Sequence, residues 1–331
     1  MNRWTADRVV RALVQVACAA GLLGTFGASA QVFPDKPLRV IVPFPTGGLV
    51  DSTMRIVGQQ VSESIGQPVL VENRPGASTF IGMQACARAP ADGYTLCIST
   101  PDSLSYNPHL FSSLPYDPEN DFVGVTNLVV TNNLIVAHAS APFGTFREMI
   151  AYARANPGKV DFGTWGVGSI PHVYLEAIKK TFGVDITAVP YKGAGQAFPA
   201  ILAGEVQATY GGLGFSMPHI RAGKLKALAA TPDASPLLPS IPTLQQEGAE
   251  PGLPSYFGIY APAKTPPAVL DRLASEFAKA LRTPKIQDFL VTQTLVGVGN
   301  SPAEFAAYLK ADRANSQRVF RAMGLKPNDA P

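Results

Sequence analysis

The stretch of sequence from Val40 to Asp51 holds residue types that could bind an anion. An apolar segment, VIV, is followed by a turn rich in proline and glycine, PFPTGG, and then by an amphipathic segment. Gly47 and Gly48 lack a Cβ, so a ligand can approach their backbone closely. The first N–H groups of a helix have no intrahelical partner and lie at the positive end of its dipole. The stretch therefore predicts an anion-binding site between a strand and a helix; the alternative is an ordinary connecting loop.

A second stretch, residues 163–172, repeats this arrangement. Its sequence, GTWGVGSIPH, predicts the end of a strand, a glycine turn and a helix that starts near a capping Ser169. The glycine spacing matches neither the dinucleotide-binding pattern nor the P-loop, which argues against a nucleotide site. Two helix N-termini that face each other could hold a carboxylate without any arginine.

Known catalytic motifs are not found in the sequence. The four histidines lie in separate segments, and none has the spacing of a zinc site. GFSMP at residues 214–218 lacks the final glycine of a nucleophile elbow. His172, beside the second glycine turn, is the one histidine that we interpret as a candidate pocket residue. A secreted enzyme is kept as an alternative, and no metal or cofactor is predicted.

The first thirty residues have the pattern of an export signal. A basic head with Arg3, Arg8 and Arg11 precedes an apolar stretch, and the small residues at 28–30 form a cleavage site before Gln31. The sequence therefore predicts a soluble protein of the periplasm that lacks residues 1–30. Three of the 27 basic and one of the 24 acidic residues fall in this segment, so the remainder is close to neutral. That balance does not indicate nucleic-acid binding.

Strand and helix patterns alternate along most of the remaining chain, which predicts an α/β fold with parallel sheets covered on both faces. TFRE at residues 145–148 and SPAE at residues 301–304 match capping boxes. Helices are predicted at residues 49–65, 78–89, 145–155, 172–180, 196–202, 217–221, 266–281, 284–291 and 301–323, and strands at 38–42, 68–72, 94–99, 122–137 (two strands), 159–163, 186–190, 206–210, 226–230 and 255–260.

Two cysteines lie beyond the export signal. Cys86 falls late in a predicted helix and Cys97 in the strand after it. In an oxidising compartment they could form a disulfide. The sequence alone favours the other interpretation, two free thiols that pack as small buried apolar groups.

A series of short motifs occurs in a fixed order over nearly all of the chain beyond the export signal. They are PDKP (34–37), PFPTGG (43–48), GQP (66–68), VENRPG (71–76), ADGYT (91–95), NP (107–108), LPYDP (114–118), PYKG (190–193), PHIRAGK (218–224) and LLPSIPT (237–243). Together they resemble one family, the Bug-type extracytoplasmic solute receptors of tripartite tricarboxylate transporters.

The resemblance implies the fold of a type II periplasmic binding protein, in which two α/β lobes joined by crossover strands close on a ligand like a Venus flytrap. Lobe 1 would comprise residues 31–131 and 255–331, and lobe 2 would comprise residues 132–254. The crossover strands would lie at residues 132–137 and 255–260. Ligands of such sheets bind beyond the carboxyl ends of the strands.

The resemblance also implies which residues contact the ligand. The loop at residues 44–49 would offer N–H groups to a ligand carboxylate, and the second glycine turn would lie across the cleft. Asp102 could contact a ligand amine or hydroxyl; its alternative role is to cap a helix or turn. The predicted ligand-binding residues are Phe44, Pro45, Thr46, Gly47, Gly48, Leu49, Thr100, Asp102, Trp165, Gly166, Val167, Gly168, Ser169, His172, Tyr191 and Gly211.

Two positions depart from the family pattern. Gly211 and Gly212 stand where many relatives carry an Asp, and Trp165 stands where small polar residues are common. The missing carboxylate weakens the case for an amino-acid ligand. We expect a carboxylate with a bulky or aromatic body against Trp165 or Tyr210. The alternatives are a Trp165 that packs in the hinge, and a pocket that prefers acids that are anionic throughout.

The implied function is capture of a small carboxylate and its delivery to the permease subunits of a tripartite transporter. A subunit that senses the same ligand for a membrane signalling partner, such as a sensor kinase, needs the same cleft and stays an alternative. Closure would result from a carboxylate that bridges both lobes through charge-assisted hydrogen bonds. A monomer without cofactor is expected.

Overall fold

The computed structural model describes residues 33–232, 234–235, 237–249, 253–324 and 327. The predicted export signal, residues 1–30, lies outside the described residues. No helix in the described part of the chain is both long and apolar enough to cross a membrane.

The chain alternates strands and helices, as the sequence pattern predicts. The strands are β1 (Leu38–Val42), β2 (Val69–Asn73), β3 (Thr95–Ser99), β4 (Phe122–Thr131), β5 (Asn133–His138), β6 (Asp161–Thr164), β7 (Thr187–Pro190), β8 (Ala208–Gly212), β9 (Leu225–Thr231), β10 (Tyr256–Pro262) and β11 (Leu295–Gly297). The helices are α1 (Leu49–Ile65), α2 (Phe80–Ala87), α3 (Asn107–Leu110), α4 (Phe146–Ala155), α5 (Ile170–Phe182), α6 (Ala194–Ala203), α7 (Leu213–Arg221), α8 (Pro267–Leu281), α9 (Pro284–Gln293) and α10 (Pro302–Met323).

Six strands form the first sheet, in the order β11-β4-β10-β3-β1-β2. β1 pairs in parallel with β2 and with β3. β10 is antiparallel to β3 and β4, and β11 is antiparallel to β4. We call this sheet and the helices around it lobe 1.

Five strands form the second sheet, in the order β7-β6-β8-β5-β9. β6 pairs in parallel with β7 and β8, whereas β5 is antiparallel to β8 and β9. This sheet and its helices form lobe 2. The α/β class is confirmed, but the expectation of wholly parallel sheets is wrong. Four of the five antiparallel pairs involve β5 or β10, the strands that enter each sheet directly from the other one, and the fifth joins β11 to β4.

The two connections between the sheets lie side by side. The Thr131 N–H donates to the Ser255 carbonyl oxygen at 2.8 Å, and the Thr131 hydroxyl donates to the Ser255 hydroxyl at 2.6 Å. Asn133 Nδ2 donates to the Thr131 hydroxyl at 2.8 Å. These bonds join the start of β5 to the start of β10. The residue ranges given above for the two lobes stay a prediction.

Helix α1 positions the first glycine loop. Its apolar residues Val50, Met54, Val57 and Val61 recur at helical spacing, and all four are buried. The helix ends at Gly66, whose φ of 69° suits glycine. The predicted bounds 49–65 are confirmed, because both the amphipathic pattern and the glycines that flank it act locally.

The two predicted capping boxes differ. At the start of α10, the Ser301 hydroxyl accepts from the Glu304 N–H, and the Glu304 carboxylate accepts from the Ser301 N–H. This box is confirmed. At the start of α4, the Thr145 hydroxyl accepts from the Glu148 N–H, but Glu148 bonds to the Gly144 N–H instead. The predicted bond from the Thr145 N–H to Glu148 is therefore wrong, because the donor is the preceding residue.

Cys86 and Cys97 form a disulfide, with Cα atoms 6.1 Å apart. The interpretation as free thiols is wrong. The end of α2 packs against β3, so the two side chains meet although neither is marked by sequence spacing. The bond ties the helix to the strand that leads into Thr100 and Asp102.

Candidate functional site

A buried carboxylate, Asp51, shapes the loop before α1. Its Oδ2 accepts a hydrogen bond from the Gly47 N–H at 2.9 Å, and its Oδ1 accepts from Asn73 Nδ2 at 2.8 Å and Arg55 Nε at 3.0 Å. Burial raises the pKa of Asp51, but these hydrogen bonds and the Arg55 charge outweigh it, so the pKa is lowered. The Gly47 N–H, a predicted ligand donor, is thus used within the protein.

The helix N-terminus beside this loop has no side-chain cap. Gly48 is the N-cap residue of α1, and it has no side chain that could accept a capping hydrogen bond from the first turn. The N–H groups of that turn therefore lack an intrahelical partner. Gly47 needs to be glycine because its φ is 88°, whereas the φ of Gly48, −74°, suits any residue. The donors in lobe 1 are thus those of the α1 N-terminus.

This loop lies against lobe 2. A Cβ placed on Gly193 would lie 3.5 Å from Pro45 Cδ, and one placed on Gly212 would lie 3.7 Å from Leu49 Cδ2. Phe44 is half-buried, and its carbonyl accepts from Asn73 Nδ2 at 3.1 Å. Thr46 is exposed at the tip.

The glycine loop of lobe 2 uses two of its N–H groups, those of Gly168 and Ser169, for bonds within lobe 2. The Ser169 N–H and hydroxyl both donate to the Gly166 carbonyl oxygen, at 3.3 and 2.7 Å. The Gly168 N–H donates to His172 Nδ1 at 3.2 Å. Burial lowers the pKa of His172, which keeps this nitrogen a neutral acceptor. Pro171, the second residue of α5, has no N–H.

Ser169 therefore does not cap α5 as predicted. It occupies the N-cap position, but its side chain accepts no hydrogen bond from the helix. The hydroxyl turns back to close the glycine turn instead. His172, predicted as a pocket residue, holds the same turn from the helix side.

Asp102 of lobe 1 lies at the N-terminus of α5. It begins the π-helical turn Asp102–Tyr106, is 5% exposed, and its carboxyl faces the Ile170 N–H. Burial raises the pKa of Asp102 to about 7, although the Thr100 hydroxyl and the N–H groups of Asp102 and Ile170 oppose the rise. The Asp102 carboxyl thus faces the start of α5 from the other lobe, which agrees with its alternative role as a helix cap.

Several buried polar side chains, most of them at the carboxyl ends of β3, β6 and β8, carry an atom without a hydrogen-bond partner among the described residues. Thr100 faces the Asp102 carboxyl, yet neither its hydroxyl nor Asp102 Oδ1 reaches hydrogen-bond geometry with any described group. Burial raises the pKa of Tyr210, and the charges of Tyr174 and Asp102 add to the rise. Buried polar atoms are usually paired, so a cluster of unpaired ones marks a place for another molecule. The atoms are Thr100 Oγ1, Asp102 Oδ1, Asn107 Oδ1, Thr164 Oγ1, Trp165 Nε1 and Tyr210 OH.

Trp165 and Tyr210 pack on each other within lobe 2. Their ring centroids are 5.7 Å apart in an edge-to-face arrangement, and Tyr174 lies 5.1 Å from Tyr210 on another side. Tyr210 is fully buried and Trp165 half-buried. The rings are therefore largely committed to each other, which favours the packing alternative for Trp165.

The two glycines at the end of β8 point in opposite directions. A Cβ on Gly211 would collide with the ring of Phe198 in α6, so this position packs inside lobe 2. Gly212 faces Leu49 of lobe 1 instead. An Asp at position 212, but not at 211, would enter the gap between the lobes, because successive residues of a strand face opposite sides.

Tyr191 contributes its backbone to the site rather than its ring. Its carbonyl oxygen would lie 3.6 Å from a Cβ on Gly166. Burial and the neighbouring Glu205 carboxylate raise the pKa of its hydroxyl. Since Glu205 is exposed, the tyrosine ring extends towards the outside of lobe 2.

A strained turn adds a contact that the sequence analysis missed. Ala77, Ser78 and Thr79 have φ values of 45°, 48° and 79°, a region that residues with a Cβ rarely adopt. The Ser78 hydroxyl donates to the Val167 carbonyl oxygen of lobe 2 at 2.8 Å, and Asn107 Nδ2 donates to the Ser78 carbonyl at 2.9 Å. Strain of this kind is often found at functional sites.

The glycine turn of lobe 2 also packs directly on lobe 1. A Cβ on Gly168 would lie 3.1 Å from Phe111 Cε2 and 3.3 Å from Asn107 Oδ1. The structure thus places each predicted glycine loop against the opposite lobe, where Asp51, Ser78, Asn107, Phe111 and Gly212 are added to the predicted residues. Sequence signals for this set were the stretch that ends at Asp51, the motif NP at residues 107–108 and the departure from the family pattern at Gly212.

Known proteins share this sequence and this fold. Residues 53–325 match the sequence model of the family "Tripartite tricarboxylate transporter family receptor". The structure of the periplasmic binding protein BugD superposes with a TM-score of 0.83 and 27% identity, covering 89% of this chain and 100% of that chain. R. palustris Rpa4515 with adipate gives a TM-score of 0.83 and 32% identity at 89% and 100% coverage. MatC from Rhodopseudomonas palustris with bound malate gives 0.81 and 26% at 87% and 100% coverage.

Proposed function

The chain belongs to the tripartite tricarboxylate transporter receptor family, of the Bug type, and on that premise we propose that it captures a small carboxylate between its lobes for delivery to a tripartite permease. Members of this family are periplasmic solute-binding receptors rather than enzymes. The enzyme alternative is therefore excluded. The relatives with bound adipate and malate support a carboxylate as the ligand class.

The observation that carries the proposal is the uncapped N-terminus of α1 opposite lobe 2. The loop that leads into it is fixed by Asp51, so the first-turn N–H groups are held in place before a ligand arrives. Charge-assisted hydrogen bonds from such groups to a carboxylate are strong, and the helix dipole adds to them. The unpaired polar atoms around Asp102 would surround the rest of the ligand.

A substitution at the first residue of α1 tests this assignment. Leu49→Pro removes one N–H from the helix N-terminus, and proline is well tolerated at this position after a residue with the ψ of Gly48, 167°. Leu49→Ala is the matched control, because it removes the same side chain and keeps the N–H. We expect Leu49→Pro to bind carboxylates about 10- to 100-fold more weakly than Leu49→Ala, the usual value of a hydrogen bond to a charged group.

Calorimetry with mono-, di- and tricarboxylic, amino and aromatic acids would measure these constants, after native mass spectrometry of the freshly purified protein to identify any co-purified ligand. Equal affinities of the two variants would reject the α1 N-terminus as the carboxylate site. Failure of every acid to bind the wild-type protein would reject the receptor proposal. Delivery to a permease would be tested by uptake of the identified acid in reconstituted membranes with and without the receptor.

A further inference from the structure

We propose that Asp102 accepts a hydrogen bond from a donor on the ligand, so that the preferred acids carry a hydroxyl or amino group beside their carboxylate. The inference rests on the proposed function and names the ligand class of that same site. Asp102 then becomes the residue that determines specificity, while the α1 N-terminus binds the carboxylate common to all ligands.

The first argument is the incomplete hydrogen bonding of a buried carboxyl group. A carboxylate has two oxygens and can accept about four hydrogen bonds. Asp102 is 5% exposed and faces the Ile170 N–H, but its Oδ1 has no partner. A buried acceptor left unpaired is costly, so a donor is expected at this atom.

The second argument is that the protein supplies no cation to Asp102. None of the ion pairs among the described residues includes it. The titratable side chains whose charges couple to it are Tyr106 and Tyr116 from lobe 1 and Tyr210 from lobe 2. Asp51 shows the contrast, since Arg55 and Asn73 complete its bonds. No described cation completes the bonds of Asp102 as Arg55 does at Asp51, so Oδ1 is left open to a donor on the ligand.

The third argument concerns the other unpaired atoms. Tyr210 OH, Thr100 Oγ1 and Thr164 Oγ1 are hydroxyls, and Trp165 Nε1 is a neutral donor. Such a set suits a polar, uncharged substituent or an ammonium close to Asp102. Above pH 7, where Asp102 is ionised, a second carboxylate at this place would be repelled by it. The pocket that prefers acids anionic throughout, one of the alternatives from the sequence, is therefore disfavoured.

Matched acids test the proposal in the wild-type protein. The two series are succinate, malate and aspartate, and 3-phenylpropionate, 3-phenyllactate and phenylalanine, each with hydrogen, hydroxyl and ammonium at one carbon. In the series that binds, we expect the hydroxyl or ammonium member to bind about 10- to 100-fold more tightly than the unsubstituted acid by calorimetry. A ratio near one would overturn the proposal, because an ordered water at Asp102 would produce that result.

Variants then locate the effect. Asp102→Ala should reduce the preference to about one. Asp102→Asn should keep a preference for the hydroxyl, because the amide oxygen still accepts, and lose the preference for the ammonium, because the charge is gone. The two results for Asp102→Asn, with the hydroxyl acid and with the ammonium acid, therefore distinguish a site for hydroxy acids from a site for amino acids. Asp312→Asn is the matched control, since Asp312 is a buried carboxyl bonded to Ser105 and Tyr256 within lobe 1.

An equal loss of affinity for all acids in Asp102→Ala, with the ratio unchanged, would mean that Asp102 only positions α5, and would overturn the proposal. If a variant fails to fold, the ratio in the wild-type protein still decides. Failure of all acids to bind the wild type would count against the proposed function itself, whereas binding without selectivity would count only against the role of Asp102.

Discussion

The two glycine loops have similar sequences and opposite hydrogen bonding. In lobe 1, Asp51 holds the loop from within its own helix, and the α1 N-terminus stays uncapped. In lobe 2, the glycine turn uses its own N–H groups, and Asp102 from lobe 1 faces the start of α5. Lobe 1 therefore offers donors to a ligand, whereas at the start of α5 the site presents a carboxyl acceptor.

This difference shows that a glycine turn before a helix is not sufficient to predict an anion site. The helix N-terminus attracts any negative group, and a side chain of the same protein can take that place before a ligand does. The surroundings of the two carboxyls then decide their roles. Asp51 has three donors and a lowered pKa, whereas Asp102 has an unpaired oxygen and a raised one.

The largest effect is expected from the Asp51→Asn variant. The asparagine would place an NH2 group where one carboxylate oxygen now accepts from Gly47, Asn73 or Arg55. At least one of these buried donors would then lack an acceptor. We expect a loss of about 2–3 kcal/mol in the free energy of unfolding, measured by urea denaturation at pH 8.

Asp102→Asn is the matched control for this prediction, because it makes the same atomic change in the other buried carboxyl. It removes a charge that lacks a full set of donors, so the free energy of unfolding should stay equal or rise. If both variants lose the same stability, the two carboxyls play the same part and the comparison between the loops fails.

Gly168→Ala should weaken ligand binding by about tenfold. The added Cβ would lie 3.1 Å from Phe111 Cε2, so the lobes must move apart for it to fit. Its φ of 82° also makes alanine strained by about 1–2 kcal/mol. Gly166→Ala is the control, because its φ is 106° but its nearest neighbour would be Tyr191 O at 3.6 Å. Comparable losses of affinity in the two variants, by calorimetry, would show that strain rather than contact with lobe 1 is responsible.

The pH dependence of binding should follow Asp102 and not Asp51. Burial raises the pKa of Asp102 to about 7, and separation of the lobes would expose it and return the pKa towards its usual range. The closed form therefore binds an extra proton below pH 7, and this stabilisation is lost as the pH rises through 7. For an acid without a donor, such as 3-phenylpropionate, we expect affinity to increase up to about tenfold from pH 8 to pH 6.

Neighbouring groups do not produce this slope. Burial lowers the pKa of His172, so titration of this group on closure would weaken binding as the pH falls, a slope of the opposite sign. Burial raises the pKa of Tyr116 to about 12, so it stays neutral in this range. Calorimetry of Asp102→Asn should show a flat profile for the same acid. A slope that persists in this variant would assign the titration to another group.

The fold could be predicted from the sequence where the pattern is local. Helix α1 and strand β1 were placed correctly, because an apolar period and flanking glycines act within a few residues. The turn at Ala77–Thr79 and the π-helical turn at Asp102–Tyr106 were not predicted. Their backbones are held by distant groups, such as Asn107 Nδ2 on the Ser78 carbonyl, which no local pattern reveals.

The candidate site could likewise be predicted only where the sequence pattern is local. The sequence motifs predicted that both glycine loops and Asp102 border one cleft, and in the structure each of them lies against the opposite lobe. They could not show that Gly211 packs on Phe198 while Gly212 faces Leu49, because the side of a strand depends on its register. Nor could they show that the Ser169 hydroxyl acts as a donor, since serine is the usual residue of a helix cap.

The smallest effect distinguishes these two roles of Ser169. In Ser169→Asp the side chain can accept but not donate, so the bond to the Gly166 carbonyl oxygen is lost. A carboxylate there would also lie near Asp102, which faces the next residue, Ile170. We expect a loss of about 1 kcal/mol in the free energy of unfolding at pH 8, measured by urea denaturation.

Ser301→Asp is the matched control, because Ser301 is an N-cap whose hydroxyl accepts from the Glu304 N–H. Aspartate is as good an N-cap as serine, so acceptance from that N–H is kept. The Ser301 hydroxyl also donates to the Glu304 carboxylate at 2.8 Å, and Ser301→Asp removes this bond. The loss of stability in Ser169→Asp is therefore compared with the loss in Ser301→Asp. If Ser169→Asp and Ser301→Asp change the free energy of unfolding equally, the α5 N-terminus has N–H groups free to bond a carboxylate. The two glycine loops would then be alike.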